Sequence, residues 1–493
     1  MSKYAWSKDQ KQIFNSVLNG NQNIAIRATA GAGKSTTLVE ISKLLPVNSS
    51  SIFIAFNKSI VEELKERLPK KFEVSTLHAL GLDILYRNFG KNIKLNQAKI
   101  YKMAQKMILK KKEITENKER NSRIFYVQKG YDFLRSTMVD IEDQEAVEDM
   151  LDRFGITSDY GYGDLYELHS IANKYNQGRK KTDVFEVDFA DMIYLAATLP
   201  KLKDPKYDNV LVDESQDLNL CQHQMISKIR SRKSRLVSVG DAFQQIYLFA
   251  GGDSQSFKRF EDADNTISLP LSVTYRCPIN VVEEAKKYSP EITAAPDAEY
   301  GFVGEGFLDN VEEGDCVLCR NNSPLFEAYL QFLYEGKKAY IVGKDIAERF
   351  HNLIKPYKNS HIGALIQGLK DQLDMISDAL SYKGVRNPTQ HPKYQAFLDI
   401  ARSLSVVAES CPNISSLTKR IDEIFSPKKD AIVLSSIHKA KGLEYDRVFL
   451  LRPDLLPSKF AKTKEEISQE NNLMFVAITR AKKQFFYVHK NDE

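Results

Sequence analysis

The sequence predicts an α/β protein with two parallel-sheet lobes, each interrupted by a mainly helical insertion. Apolar segments of strand length alternate with amphipathic helical segments near the start of the chain, and this alternation returns after each of two longer helical stretches. Strands that alternate with helices form parallel sheets, because a helix must carry the chain back to the start of the next strand. The 493 residues leave room for about three domains of ordinary size.

The first lobe is predicted from residues 1–82 and 181–255. The helical pattern DQKQIFNSVLNG precedes the apolar strand NIAIRA, and a Gly-rich turn, the helix KSTTLVEISKLL, the strand SSIFIAF and the helix SIVEELKERL follow. Apolar strands return at 207–213 and 235–240, and each ends in acidic residues. In between, the Lys-rich pattern NQAKIYKMAQKMILKKKEITENKER predicts a helical insertion over residues 83–180.

The second lobe is predicted from residues 256–350 and 427–493. Its strands are CVLCR and AYIVG before the second insertion, AIVLSSI and DRVFLL after it, and QFFYVHK near the end. Helical segments such as DQLDMISDALSYK and YQAFLDIARSL fill the interval. They predict a small helical insertion over residues 351–426.

Composition excludes several classes of protein. Hydrophobic residues make up 42% of the chain and charged residues 27%, which is typical of a globular protein in water. Charge interrupts every apolar run before the roughly 18 residues that a membrane helix needs, and MSKYAWSKDQ has no signal-peptide core. We therefore expect no membrane partner, a monomer or weak assembly, and a cytoplasmic location: at the nucleoid in a bacterial or phage setting, in the nucleus of a eukaryote.

Cysteine content and charge narrow the possibilities further. Five cysteines are too few for a disulfide framework, and their number is odd. Cys316 and Cys319 form a C-x-x-C inside the apolar run DCVLCR, so a buried strand is favoured over a metal site. The formal charge of +5 permits a nucleic-acid partner without indicating one.

A phosphate-binding loop is predicted at ATAGAGKS, residues 28–35, between an apolar strand and a helix. This is the context that a P-loop requires, although Ala28 replaces the usual first glycine. Gly31 and Gly33 allow a tight turn whose N–H groups face phosphate oxygens, and the following helix adds its positive end. The alternative is a Gly-rich turn that binds no ligand. The predicted nucleotide-binding segment comprises Ala28, Thr29, Ala30, Gly31, Ala32, Gly33, Lys34, Ser35 and Thr36.

The loop predicts ATP and Mg²⁺ as ligands when it is combined with LVDESQD at 211–217. Lys34 would neutralise the β- and γ-phosphates, while Ser35 and Asp213 would hold Mg²⁺. Glu214 would orient or deprotonate the attacking water. An acidic cluster after a strand is often only a polar turn or a helix N-terminus; beside a P-loop it favours hydrolysis over mere nucleotide binding.

Further motifs resemble those of a known family. VGDAFQQIYLFAGG (239–252), LPLSVTYRCP (269–278), SSIHKAKGLEYDRVFL (435–450) and NNLMFVAITRAKK (471–483) follow in this order, after AFNKS (55–59) and STLHALG (75–81). Together they resemble the motif series of UvrD/Rep-like superfamily 1 DNA helicases, and the AFNK form is similar to compact F-box-helicase-like and phage or bacterial members. The resemblance implies two RecA-like lobes and an ATP-dependent motor moving 3′→5′ on single-stranded DNA.

The resemblance also implies roles for matching residues. Gln10 corresponds to the glutamine that recognises adenine, and Tyr275 to an aromatic residue that stacks on the base. Gln244 corresponds to a γ-phosphate sensor. The remaining nucleotide contacts are two arginine fingers and the fifth motif: Arg276, Arg480, Gly442 and Glu444.

Two motifs depart from the family pattern. The third usually ends aromatic-Arg-Gly-Ala, whereas this chain has Phe249, Ala250, Gly251 and Gly252; the missing arginine is expected to weaken one DNA backbone contact. The sixth usually opens Glu-Glu-Arg, whereas this chain has Gln469, Glu470 and Asn471.

Single-stranded DNA binding needs stacking aromatic rings and a positive groove. Asn57 and Lys58 are expected at backbone phosphates, as the motif implies. Core packing is the alternative for the aromatic residues, since rings at strand ends are usually buried. Lys110, Lys111 and Lys112 are interpreted as a solvated helix face, with duplex contact as the alternative. The candidate DNA-stacking residues are Phe56, His78, Tyr247, Phe249 and His438.

Four other functions stay open at this point. They are a nucleotide-switched single-strand-binding protein, a helicase–nuclease fusion, a translocase that strips proteins from DNA while unwinding little, and a motor that prefers RNA. The absence of an acidic nuclease segment after the sixth motif argues against the fusion. The expected partners are single-stranded DNA, single-strand/duplex junctions, and replication or repair proteins.

Overall fold

A computed structural model describes residues 6–156, 161–177, 184–203, 206–248, 251–382 and 385–489. The chain divides into two compact units, residues 1–28 with 33–271 and residues 29–32 with 272–493. The elements of the first unit are, in chain order, α1 (Lys8–Asn19), β1 (Asn23–Ala28), α2 (Lys34–Leu44), β2 (Ser51–Ala55), α3 (Lys58–Arg67), β3 (Phe72–Thr76), α4 (Leu77–Phe89), β4 (Ile93–Leu95), α5 (Lys99–Leu109), α6 (Asn117–Thr137), α7 (Gln144–Arg153), α8 (Gly161–Gln177), β5 (Phe185–Val187), α9 (Phe189–Thr198), β6 (Tyr207–Val212), α10 (Leu220–Lys228), β7 (Arg230–Gly240), α11 (Ser256–Glu261) and β8 (Thr266–Leu271).

Six of the described strands of the first unit form a parallel sheet in the order β3-β2-β6-β7-β1-β8. β2 is buried at every position, as expected of a central strand with helices on both faces. Its side chains Ile52 and Ile54 join Val210 and Val212 of β6 in the core of the lobe. The α/β fold class predicted from the sequence is therefore confirmed for this unit.

The boundary drawn at residue 255 comes too early. Strand β8 pairs with β1 from Asn23 opposite Thr266 to Ala28 opposite Leu271, and the first unit extends to residue 271. Local patterning could not reveal this, because the partner strand of β8 lies at the opposite end of the unit's sequence.

The insertion of the first unit has an apolar core of its own. Helices α5 to α8 bury Ile100, Val127, Leu134, Leu165 and Leu168 against one another. At its base, β4 pairs with β5 in parallel, a short sheet that the Lys-rich helical pattern did not predict. The insertion therefore packs as a separate layer, and α4, which begins at the end of β3, runs continuously across the predicted boundary at residue 83.

The second unit contains the elements β9 (Val273–Thr274), α12 (Ile279–Ala285), β10 (Thr293–Ala294), β11 (Phe302–Glu305), β12 (Cys316–Cys319), α13 (Ser323–Tyr334), β13 (Ala339–Ile341), α14 (Lys344–Ile354), α15 (Ile362–Tyr382), α16 (Pro392–Glu409), α17 (Ile414–Ile424), β14 (Ile432–Ser436), β15 (Tyr445–Leu451), α18 (Lys464–Ile478) and β16 (Ala481–Val488). Six of its described strands form a second parallel sheet in the order β11-β16-β15-β12-β14-β13, and β9 pairs with β10 in a separate two-stranded sheet. The prediction of two parallel-sheet lobes is thus confirmed.

One apolar core runs through the second lobe and its insertion. Val317 of β12 and Leu434 of β14 belong to the same buried cluster as Leu365, Leu404 and Leu417 of α15, α16 and α17. Strand β12 buries both cysteines of the C-x-x-C completely, which confirms the strand interpretation. Among the residues that the structure describes, no group of three or more His, Cys, Asp or Glu side chains is placed to hold a metal ion.

Candidate functional site

Three adjacent strands of the first sheet deliver charged side chains to one edge. β6, β7 and β1 are neighbours in the sheet, and their carboxyl ends lead directly into Asp213, Asp241 and the loop before Lys34. Ligands of parallel α/β sheets bind at this carboxyl edge. The sequence placed Lys34 and Asp213 in one site, and the structure brings them together although they are far apart in the chain.

Lys34 is the first residue of α2 and lies among carboxylates. Its Nζ is 2.8 Å from both carboxylate oxygens of Glu214. Burial by itself would lower the pKa of Lys34, but three surrounding carboxylates, Glu214 foremost, raise it above its ordinary value. The ammonium therefore carries its charge at neutral pH, as a phosphate ligand must.

Ser35 and Asp213 lie side by side at the expected metal position. Ser35 Oγ donates to Asp213 Oδ2 over 3.2 Å. Burial raises the pKa of the Asp213 carboxyl to about 6; Glu214 adds to the rise and Lys34 opposes it. One hydroxyl and one buried carboxylate suit Mg²⁺, which takes few protein ligands and completes its shell with water and phosphate oxygens. This donor set fits the ion that the sequence predicts.

Glu214 has an unusual backbone conformation. Its φ of 49° lies in the left-handed region, which is uncommon for a residue with a side chain and recurs at functional sites. The backbone N–H of Glu214 donates to Asp213 Oδ1 over 2.9 Å, and Gln216 Nε2 donates to Glu214 Oε2 over 2.6 Å. The turn therefore directs the Glu214 carboxylate toward Lys34 and holds it there.

Two buried glutamines flank this cluster. Gln10 caps α1 through a reciprocal pair of hydrogen bonds with Ser7, and its Nε2 donates to Thr37 Oγ1 on α2 over 3.1 Å. Gln244 donates from Nε2 to Asp241 Oδ2 over 2.6 Å. The side chains of Gln10 and Gln244 are thus oriented by hydrogen bonds rather than free to rotate.

Asp241 is a site residue that the sequence interpretation quoted but did not assign. It is completely buried, and burial raises the pKa of its carboxyl to about 6 against the opposing effect of Lys34. Its backbone N–H donates to Gln216 Oε1 over 3.0 Å. A sequence pattern could have identified Asp241, because it directly follows an apolar strand, as Asp213 does.

The tip of the predicted phosphate loop, residues 29–32, belongs to the second unit. Gly31 has φ of +70°, and a Cβ there would lie 2.5 Å from Arg276 Cβ, so only glycine fits. Gly31 O accepts a hydrogen bond of 3.0 Å from the backbone N–H of Tyr275, whose ring is 51% exposed. Thr29 Oγ1 is buried and has no hydrogen-bond partner among the described residues, as expected of a group that awaits a ligand.

The two predicted arginine fingers are held differently within the second unit. Arg276 Nε donates to Glu444 Oε2 over 2.6 Å, near Gly442, which has φ of +86°. Arg480 is 1% exposed. Its guanidinium donates to Val476 O over 2.9 Å and to Leu443 O over 3.1 Å. Arg480 therefore bonds its own lobe, whereas Arg276 forms a partly exposed ion pair.

Family comparisons identify this arrangement. Residues 6–264 match the family model of the UvrD/REP helicase N-terminal domain, and residues 306–491 match that of the UvrD-like helicase C-terminal domain. The chain belongs to the UvrD/REP helicase family. The resemblance seen in the ordered motifs is therefore confirmed.

Individual relatives of this UvrD/REP-family chain are distant in sequence. F-box DNA helicase protein 1 of Schizosaccharomyces pombe is 23% identical over 97% of this chain and 56% of its own length. F-box DNA helicase 1 of Gallus gallus is 22% identical over 98% of this chain and 49% of its own length. The chain thus spans about half the length of these two relatives. ATP-dependent DNA helicase Rep of Buchnera aphidicola subsp. Acyrthosiphon pisum is 21% identical over 96% of this chain and 94% of its own length.

Exposed aromatic rings in the UvrD/REP N-terminal region lie where β2 and β3 end. Phe56 follows β2 and is 50% exposed; His78 is exposed at the start of α4. Phe189, which the sequence interpretation missed, is also 50% exposed, and its ring meets that of His78 edge-on, with centroids 5.8 Å apart. The sequence pattern offers little indication that Phe189 is exposed, because a single aromatic residue at the start of a helix usually belongs to the apolar core.

Asn57 and Lys58 start α3 beside this aromatic surface. Asn57 Oδ1 accepts from Ile60 N over 3.0 Å, so its side chain caps the helix. Lys58 is exposed at the first helical position, where the positive helix end already favours anions. Capping of α3 explains why asparagine occurs at position 57. The described residues show no comparable structural role for the exposed Lys58 side chain.

The other predicted DNA contacts differ in burial and in charge. Tyr247 is half-buried, and burial raises the pKa of its phenol to about 12. Burial lowers the pKa of His438 to about 3. Partial desolvation by neighbouring side chains lowers the pKa of His78 although its surface is exposed. Both rings are neutral at pH 7 and can stack but not neutralise phosphate. Phe249 and Ala250 of the divergent third motif lie outside the described residues. Lys111 is paired with Asp164 over 2.6 Å.

None of the described helices combines the length and the apolar character that crossing a membrane requires.

Proposed function

We propose that this chain is an ATP-dependent DNA motor that moves 3′→5′ on single-stranded DNA and separates duplex DNA. The observation that carries the proposal is the constellation at the carboxyl edge of the first sheet, where Lys34, Ser35, Asp213 and Glu214 lie within hydrogen-bond reach of one another. These are the cation, hydroxyl and carboxylates that ATP hydrolysis requires. Family membership and the names of the relatives, which include ATP-dependent DNA helicases, support DNA as the track.

In this proposal the side chains have separate tasks. Lys34 exchanges Glu214 for the β- and γ-phosphates, which frees the Glu214 carboxylate to orient water and accept its proton. Ser35 and Asp213 would hold Mg²⁺, which supplies charge neutralisation at the phosphates when it is bound. Gln244, oriented by Asp241, would contact the γ-phosphate.

Nucleotide recognition would involve further residues from both units. Gln10, fixed by the α1 cap and Thr37, would read the adenine edge, and the half-exposed ring of Tyr275 would stack on the base. Arg276 with Glu444, and Arg480, would contribute from the second unit. An arginine from another lobe links hydrolysis to domain closure, because closure completes the site.

The strand-binding surface of the first unit would comprise Phe56, His78 and Phe189 for the bases and Lys58 for phosphate. Aromatic rings stack on any base, and positive helix ends bind phosphate, so the combination binds single strands without sequence preference. Tyr247 and His438 are proposed as additional stacking contacts. The proposed partners are single-stranded DNA and single-strand/duplex junctions, with replication or repair proteins, and the motor is proposed to act as a monomer.

The proposal is tested by ATPase activity with and without oligothymidylate, followed by unwinding of tailed duplexes. DNA should stimulate hydrolysis, and a duplex with a 3′ tail should open while one with only a 5′ tail should not. An RNA strand of matched sequence should stimulate less. Lys34→Ala should abolish hydrolysis, and Lys43→Ala, on the exposed side of the same helix, should not. DNA-independent hydrolysis, or opening from the 5′ tail, would contradict the proposal.

A second candidate is a translocase that strips proteins from DNA with little unwinding. It is favoured by the short second insertion, residues 351–426, whose helices share their core with the lobe and do not form a separately packed body. Displacement of streptavidin from a biotinylated strand, with no opening of the 3′-tailed duplex, would select this candidate.

A further inference from the structure

A network of buried charges joins the first insertion to the lobe that carries it. Its members come from three helices: Lys99 of α5, Asp132 and Arg135 of α6, and Asp188 and Asp191 at the start of α9. Lys99, Arg135 and Asp191 are each at most 2% exposed. Charges this deeply buried require partners, so the geometry of their pairing constrains how the helices meet.

Arg135 contributes both ends of its guanidinium. Its Nη1 is 2.8 Å from Asp188 Oδ1 and 2.8 Å from Asp191 Oδ1, and Nη2 is 3.0 Å from Asp188 Oδ2. Lys99 Nζ is 2.7 Å from the other oxygen, Asp191 Oδ2. Two cations of the insertion therefore form ion pairs with two carboxylates of the lobe. Asp132, which is partly exposed, is the fifth residue of the network.

The same two carboxylates build the start of α9. Asp191 N donates to Asp188 Oδ1 over 2.7 Å, and Asp188 N donates to Asp191 Oδ2 over 3.2 Å. This reciprocal capping box fixes the first turn of the helix. Phe189 lies between the two capping residues, so the turn that carries it is fixed by carboxylate oxygens that also accept from the cations of the insertion.

The network is not needed to hold the insertion together. Helices α5 to α8 have an apolar core of their own, and buried ion pairs are weak evidence for stability because desolvation offsets their attraction. In some proteins such pairs instead select one geometry among several. Here the paired carboxylates lie in the turn that carries Phe189, whose ring meets that of His78.

We propose that Lys99 and Arg135 are positioning residues for single-stranded DNA: by holding the Asp188–Asp191 capping box, they place the Phe189 ring for stacking. The inference rests on the proposed function, in which Phe189 and His78 contact bases. The helical insertion would thus contribute to the binding of single-stranded DNA by the first lobe.

The test uses a charge-balanced variant, Arg135→Met with Asp188→Asn. Asparagine still caps a helix, and removal of one charge of each sign leaves the Lys99–Asp191 pair. The Kd for fluorescein-labelled oligothymidylate and the KM for DNA in the ATPase reaction should both rise roughly tenfold, the range for loss of one stacked base. The kcat at saturating DNA and the KM for ATP should stay within about twofold of the parent.

The matched control is Arg123→Met with Asp164→Asn. Arg123 lies on the same helix α6 and pairs with Asp164 of α8 over 2.7 Å, inside the insertion and away from α9. This variant removes the same kinds of side chain, so thermal unfolding should shift comparably in both double variants. Its affinity for DNA should stay unchanged. Equal losses of affinity in the two double variants would overturn the inference.

A double-mutant cycle with Phe189→Ala tests whether the ion-pair network affects DNA binding through the Phe189 ring. If the network acts through the Phe189 ring, Phe189→Ala and the Arg135→Met/Asp188→Asn variant each weaken binding roughly tenfold, and their combination weakens it little further. A combined loss of roughly a hundredfold would mean independent effects and would overturn the inference. If DNA fails to stimulate ATP hydrolysis by the unmutated chain, the proposed function itself is wrong. That result differs from every result expected of the variants, because it is obtained without any substitution.

Discussion

The two sheet lobes have the same architecture but present different chemistry. In the first, the strand ends bring Lys34, Asp213 and Asp241 into one preformed cluster. In the second, Arg276 and Arg480 are bound to a carboxylate and to backbone carbonyls of their own unit. A parallel-sheet lobe is therefore a scaffold whose function depends on the residues at its strand ends.

The same contrast extends to the cores. The first unit has separate cores for the lobe and its insertion, and charges link the two layers. The second unit buries its insertion helices in the core of the lobe itself. The first insertion is therefore joined to its lobe by buried ion pairs, whereas the helices of the second insertion share the apolar core of their lobe.

The largest effect is expected from Arg480→Ala, which tests whether the second lobe takes part in catalysis. A finger stabilises charge that develops in the transition state, so turnover should fall roughly 10³–10⁵-fold with little change in ATP affinity. The buried guanidinium also loses its hydrogen bonds to Val476 O and Leu443 O, so thermal stability should fall. Single-turnover hydrolysis and nucleotide binding measure the two effects separately.

Arg276→Ala is the comparison for that experiment. It removes a partly exposed ion pair with Glu444 and one long hydrogen bond of 3.3 Å to Thr479 O, so turnover should fall with less loss of stability than in Arg480→Ala. If Arg480→Ala unfolds more readily but hydrolyses ATP at the parent rate per folded molecule, Arg480 is a structural arginine and only Arg276 serves the nucleotide.

The next largest effect is expected from Glu214→Gln in the first lobe. The change preserves shape but removes the proton acceptor, so hydrolysis should fall roughly 10²–10⁴-fold while ATP still binds. Fluorescent-nucleotide binding and phosphate release report the two steps. Asp217→Asn, in the same acidic segment, is the control and should retain most activity. A fall of less than about tenfold would exclude Glu214 as a general base.

A smaller effect, on stability, should distinguish the two kinds of core. Leu168→Ala in the first insertion and Leu404→Ala in the second each empty a fully buried site, at a cost of about 2–5 kcal/mol. Hydrogen exchange should rise only within α5 to α8 for Leu168→Ala. It should rise in β12 and β14 as well for Leu404→Ala. Matching exchange patterns confined to the mutated insertion would contradict the shared core.

The smallest effect is expected at Asn57, where capping and DNA contact compete as explanations. Asn57→Ala should cost about 1 kcal/mol of stability through loss of the α3 cap, and Asn57→Asp should keep the cap. If DNA affinity is equal in the parent and Asn57→Ala while Lys58→Ala binds more weakly, the phosphate contact belongs to Lys58. Weaker DNA binding by Asn57→Ala at unchanged stability would assign the contact to Asn57.

Particular residues show how far sequence patterns reach. ATAGAGKS and LVDESQD could be predicted to meet in one candidate site because each motif lies at a strand end, and strand ends of a parallel sheet share an edge. The C-x-x-C was predicted to be a buried strand from its apolar neighbours, and it is. In contrast, the pattern around TISLPL did not reveal that β8 completes the first sheet, and nothing local marked Phe189 as exposed.

The sequence by itself determined the class of each lobe and the family, and it predicted the composition of a candidate nucleotide site, because period, spacing and motif order are properties of short segments. Only the tertiary structure decided that Lys34 pairs with Glu214, that Arg480 lies buried among carbonyls of its own lobe, and that Lys99 and Arg135 hold the start of α9. The physical reason is that these contacts join residues distant in the chain. Their geometry follows from how whole elements pack, which no local pattern encodes.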